Sequence, residues 1–116
     1  MNLTPNELVN VIPVLRSRLD ASSFSSVDII SPETARVSPG ESDKLTAVNS
    51  AVSYIQQMFQ DLATKSAVDV VASHTYYDSD HDANWPLLAS VADGKPVWVT
   101  ESANLKSLDF SMTDAS

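Results

Sequence analysis

The chain has 116 residues, enough for one modest domain with its own core, and its 43% hydrophobic content is that of a globular chain. A net charge of −8, with only 7 lysines and arginines, argues against nucleic acid or an anionic membrane as partner, because phosphate binding needs clustered cations. There are no cysteines, which excludes disulfides and thiol chemistry, and no run of about 18 apolar residues predicts a transmembrane helix. Met1-Asn2-Leu3-Thr4 lacks the basic and apolar regions of a secretory leader, and localisation stays open.

Thr4-Pro5-Asn6-Glu7 is a helix start: Thr4 caps, Pro5 suits the first helical position and Glu7 completes a capping box. Leu8, Val11, Ile12, Leu15 and Leu19 follow at helical spacing, which predicts a helix over about residues 5–20. Ala21 to Ser26 reads as a Ser-rich turn. Val27 to Ser31 is a strand candidate stopped by Pro32, and Glu33 to Asp43, with Pro39-Gly40, reads as a loop. A second helix is expected from Lys44 to Lys65, with Leu45, Val48, Val52, Ile55, Met58, Phe59 and Leu62 on one face. Val68 to Ser73 is a second strand, leading into His74-Thr75-Tyr76-Tyr77. The acidic run Asp78-Ser79-Asp80-His81-Asp82 reads as a loop, Trp85 to Val91 as a short helix closed by Asp93-Gly94, and Val97 to Thr100 as a buried third strand. Ser111 to Asp114 resembles the start of another helix.

Helices and strands that alternate in this way predict an α/β fold with a parallel sheet. Three strands are too few to close a barrel. No Gly-rich turn follows any strand, so neither a dinucleotide fingerprint nor a phosphate loop is present. The C-terminal ends of parallel strands come together, and here they carry Ser31-Pro32-Glu33, His74-Thr75-Tyr76 and Glu101. A carboxylate at the end of a buried strand is costly to place unless something uses it, so Glu101 leads the list of candidates.

Ile29-Ile30-Ser31-Pro32-Glu33, then Val68 to Tyr76, then Gly94-Lys95-Pro96-Val97-Trp98-Val99-Thr100-Glu101 resemble successive strand ends of retaining glycoside hydrolases of clan A. The resemblance is greatest to family 30, which includes xylanases, β-1,6-glucanases or galactanases and glucosylceramidases. It runs from about Leu3 to Ala115. It implies that the three strands are the fifth to seventh of a partial (β/α)8 TIM barrel of about three βα units. Glu101 then matches the catalytic nucleophile, His74 and Tyr76 match sugar-contacting positions, and Glu33 lines the cleft. The family's acid/base carboxylate follows the fourth strand in an Asn-Glu pair, and nothing in this chain corresponds to it. The implied whole is thus a segment over residues 1–116, incomplete at both ends, with the remainder of the barrel as a partner. The ligand would be an oligo- or polysaccharide, the intact family member extracellular, and no cofactor is implied.

Other readings compete at several positions. Glu101 as a helix cap, and His74 as a structural hydrogen-bonded residue, are the ordinary alternatives. Tyr77 and Trp85 suit stacking on sugar rings or packing in a core, and Trp98, inside its strand, packs inside or just below the cleft. Asp78-x-Asp80-x-Asp82-x-Asn84 resembles half a calcium loop, but Ala83 stands where Gly is required and Ala89 where Glu is required. Two histidines without a paired spacing predict no zinc site, and no Gly-x-Ser-x-Gly elbow supports a serine hydrolase. Two functions remain open: part of a retaining glycoside hydrolase, or a non-catalytic carbohydrate-binding or interaction remnant.

Overall fold

The computed structural model describes residues 3–37, 50–76 and 81–102. Helix α1 spans Pro5–Ala21. It starts as expected, with the Thr4 hydroxyl accepting from the Glu7 N–H at 3.2 Å and Pro5 in the first turn. Strand β1 spans Ile30–Thr34, helix α2 Ala51–Met58, helix α3 Leu62–Ala67 and strand β2 Val70–His74. Helix α4 spans His81–Ala92 and strand β3 Val97–Glu101. The strands form a parallel sheet in the order β1-β2-β3, as the alternation predicts.

Several boundaries differ from the sequence reading. The first strand runs through Pro32 instead of stopping there. Among the described residues β1 is an outer strand of the sheet, and a proline that donates no N–H is tolerated at such an edge. Glu33 and Thr34 belong to this strand, not to a loop. The long second helix is two helices, broken at Phe59–Asp61. Asp61 causes the break: its Oδ2 accepts from the Thr64 N–H at 3.0 Å and from the Thr64 hydroxyl at 2.6 Å, starting a new helix. Ser50 caps α2 in the same way, with its hydroxyl accepting from Ser53 N–H at 3.2 Å. Residues 44–49 of the expected helix lie outside the described residues, as does the helix start at Ser111. His81 and Asp82, expected in a loop, open α4.

The core lies between the helices and one face of the sheet. Ile55, Met58, Leu88 and Val71 are fully buried there, with Ile12 of α1 and Ala92 of α4 beside them. Burying side chains of this size contributes roughly 1.5–3 kcal/mol each. Trp85 and Val97 pack against the same cluster, so Trp85 is a core residue. The third strand is less buried than its composition suggests: Trp98 is 49% and Val99 48% exposed. β3 has only β2 beside it among the described residues.

Arg16 ties α1 to the N-terminal end of the sheet. Its guanidinium donates to the carbonyl oxygens of Val27 at 2.8 Å and Phe24 at 3.2 Å, and lies 3.6 Å from the Asp69 carboxylate. Asp69 in turn accepts from the Ile29 N–H at 2.8 Å. This network stands at the end of the strands remote from Glu101. Among the described residues, no helix is long and apolar enough to cross a membrane.

Candidate active site

The C-terminal ends of all three strands meet in one row. Register pairs Ser31 with Val71 and Val71 with Val97 on the helix-covered face, while Pro32, Ala72 and Trp98 share the opposite face. The pairing then slips on both sides of β2. On β1 it passes from Pro32↔Ala72 to Thr34↔Ser73, leaving Glu33 as an extra residue. On β3 it passes from Ser73↔Val99 to His74↔Glu101, leaving Thr100 as the extra one. A bulge reverses which face the following residue points to. By strict alternation Glu101 falls on the face of Val97 and Val99. The slip at Thr100 moves it instead beside His74, on the face of Ala72 and Trp98.

His74 is the centre of the cluster. Its Nε2 lies 3.1 Å from Oε2 of Glu33 and its Nδ1 lies 3.7 Å from Oε2 of Glu101. The imidazole is 17% exposed, against 40% for Glu33 and 55% for Glu101. The Tyr76 hydroxyl donates to the same Glu101 Oε2 at 2.7 Å, and its ring meets the imidazole edge-on with centroids 5.4 Å apart. That hydrogen bond to Glu101 holds the Tyr76 phenol above its ordinary pKa, with desolvation and the carboxylate charge adding to the effect. Both contacts to Glu101 fall on Oε2. Its other carboxylate oxygen has no partner among the described residues.

Backbone and hydroxyl contacts hold these ends in place. The Thr75 N–H donates to the Glu101 carbonyl at 3.1 Å, and the Thr75 hydroxyl to that of Ser102 at 2.9 Å. Beneath His74, the fully buried Ser73 hydroxyl donates to the His74 carbonyl at 2.8 Å, close to the Thr34 hydroxyl. The sequence carries Thr75 in the strand-end group His74-Thr75-Tyr76 but gives none of these residues a role in the site. The signal for Ser73 was a hydroxyl closing the buried run Val70-Val71-Ala72.

Of the candidates named from sequence, the structure brings Glu33, His74, Tyr76 and Glu101 together. Trp98 lies lower on β3, half-exposed, on the face shared with His74 and Glu101. Tyr77 lies outside the described residues, as do Asp78 and Asp80 of the calcium-like run. Among the described residues no group of three His, Asp or Glu side chains is placed to hold a metal ion.

Parallel α/β folds commonly carry their sites at the C-terminal ends of the strands, and here two carboxylates, an imidazole and a phenol gather at that edge. The chain belongs to the glycosyl hydrolase catalytic core family, whose model matches residues 1–115. Comparison with curated proteins and with solved structures finds no match.

Proposed function

We propose that this chain carries the nucleophile half of a retaining glycoside hydrolase site, with Glu101 as the nucleophile. One observation above all supports the reading: at the strand ends the Tyr76 hydroxyl donates to Oε2 of Glu101, the His74 ring lies 3.7 Å from the same oxygen, and the second oxygen has no partner among the described residues. A nucleophilic carboxylate needs that combination of one anchored and one available oxygen. In the proposed step the free oxygen attacks the anomeric carbon. The bond from that carbon to the leaving-group oxygen breaks, and its electron pair departs with the leaving group. A second carboxyl, about 5–5.5 Å away, protonates the leaving oxygen and later activates water.

His74, Tyr76, Glu33, Tyr77 and Trp98 are the proposed sugar-site residues, and the ligand is a β-linked oligo- or polysaccharide. The clan A, family 30-like placement, with β1, β2 and β3 as the fifth to seventh strands of a (β/α)8 barrel, rests on the strand-end residues and is supported by the parallel order. Residues 1–116 then form one segment of that barrel.

A leaving group that needs no proton separates the nucleophile from the missing acid. The chain is incubated with a panel of 2-deoxy-2-fluoro-β-glycosides carrying dinitrophenolate leaving groups, and adducts are mapped by peptide mass spectrometry. A glycosyl adduct on Glu101, absent from Glu101→Gln, is the expected result. Saccharide binding detected by titration without any adduct across the panel overturns the nucleophile assignment and favours a carbohydrate-binding remnant.

A further inference from the structure

Glu33 has φ 64°, in the left-handed region that residues other than glycine seldom occupy. It is also the residue left over by the β1 bulge, so it has no neighbour in register on β2. Neither feature stabilises the strand. What the arrangement does is turn the Glu33 carboxylate towards β2, where its Oε2 comes within 3.1 Å of His74 Nε2. The imidazole is thereby flanked by carboxylates from both outer strands: Glu33 of β1 at Nε2, and Glu101 of β3 at Nδ1.

An ionised carboxylate only accepts hydrogen bonds, so the Glu33 contact requires a hydrogen on Nε2. When the ring is neutral, its single N–H then points at Glu33 and the lone pair of Nδ1 faces Glu101. When the ring is charged, the second N–H sits on Nδ1 and faces Glu101 Oε2. We propose that Glu33 is a positioning residue: it keeps His74 protonated on Nε2, so that Nδ1 can donate to the Glu101 carboxylate only when the ring carries both hydrogens. The consequence for catalysis rests on the reading of Glu101 as nucleophile; the placement of the proton does not. Glu33 then acts on the sugar site through His74. The Tyr76 ring stands edge-on to the imidazole, with centroids 5.4 Å apart.

The test reads the ring directly. Long-range proton–nitrogen spectra of the full chain, labelled with nitrogen-15 in histidine, report which nitrogen of a neutral imidazole carries hydrogen. The His81→Gln variant assigns the two histidines. The expected result is a single Nε2–H form for His74, kept in Glu33→Gln, whose amide oxygen still accepts, and lost to a mixture in Glu33→Gly and Glu33→Asn. Glycine and asparagine both suit the left-handed backbone, so the fold persists without a carboxylate that reaches the ring. A mixed or Nδ1–H form in the unaltered chain overturns the proposal. So does an unchanged Nε2–H form in both Glu33→Gly and Glu33→Asn. No substrate is needed, so failure of the fluoroglycoside to label Glu101 and failure of this inference are separately visible.

Discussion

The Tyr76 hydroxyl donates a 2.7 Å hydrogen bond to Oε2 of Glu101, across 25 residues of sequence. The bond joins the end of β2 to the end of β3. It is lost when the phenol ionises, since a phenolate beside a carboxylate has no hydrogen to give. The Tyr76 pKa is raised for that reason. A group whose folded pKa is raised stabilises the fold fully below its unfolded value, about 10 for tyrosine, and loses that contribution as pH rises through the folded value.

Glu101→Gln should therefore bring one tyrosine back towards ordinary titration. Tyr54 also titrates high, but chiefly because it is buried, with Glu7 as a lesser cause. In an ultraviolet titration the Tyr54 step should stay where it is while the Tyr76 step moves down; Tyr76→Phe identifies that step. If the Tyr76 step does not move, the hydrogen bond is not present in solution.

Arg16→Ala should lower stability by about 2 kcal/mol or more, because hydrogen bonds from a charged group are worth roughly 1.5–3 kcal/mol. The change leaves the carbonyls of Phe24, Ser25 and Val27 without this donor and removes the cationic partner of Asp69, which keeps the Ile29 N–H. Urea unfolding measures the loss. Arg16→Lys should recover only part of it, since an ammonium cannot reproduce the planar set of donors. Full recovery with lysine would mean that charge alone matters here.

Asp61→Ala removes the cap that divides α2 from α3, at a cost of about 1 kcal/mol for the cap. It also strands the hydroxyl of Thr64, which is fully buried and bonded to Asp61 at 2.6 Å. An unsatisfied buried group adds roughly 1–3 kcal/mol, so the total loss should exceed that of an ordinary capping mutation. Asp61→Asn keeps an acceptor and should lose much less. Equal losses for the two variants would rule out the capping account.

Lys65 pairs with Asp93, whose carboxyl is held below its ordinary pKa by that ammonium, with Lys95 adding a smaller effect. A lowered folded pKa stabilises the fold above the unfolded value and loses its contribution as pH falls through the folded one. Asp93→Asn should therefore cost a little at neutral pH and nothing in strong acid. The pair is exposed, so added salt should shrink the neutral-pH difference. Thermal melts at two pH values and two salt concentrations test this, and a difference that persists in acid contradicts it.

Local chemistry made much of the fold readable. Thr4, Pro5 and Glu7 predicted the start of α1, and the closing Asp93-Gly94 carries the positive φ values expected of a helix end. The alternation of elements predicted the parallel sheet. Misreadings came where a local rule met a tertiary circumstance. Pro32 reads as a strand stop, yet an outer strand accommodates it. Phe59 and Leu62 continue an apolar face, yet Asp61 finds Thr64 and restarts the helix. Val97 to Thr100 reads as buried by composition, yet β3 lies at the edge of the described sheet.

Sequence alone determined that Glu33, His74, Tyr76 and Glu101 stand near the strand ends, because parallel strands bring their C-termini to one side whatever the lengths between them. Which face each side chain takes was decided only by the tertiary structure. Strand alternation has period two, so a single unpaired residue reverses it. Glu33 and Thr100 are such residues, one on each side of β2. A bulge arises from how two strands settle against a third, and neither residue type announces it. That pairing turns Glu101 from the face of Val97 and Val99 to the side of His74.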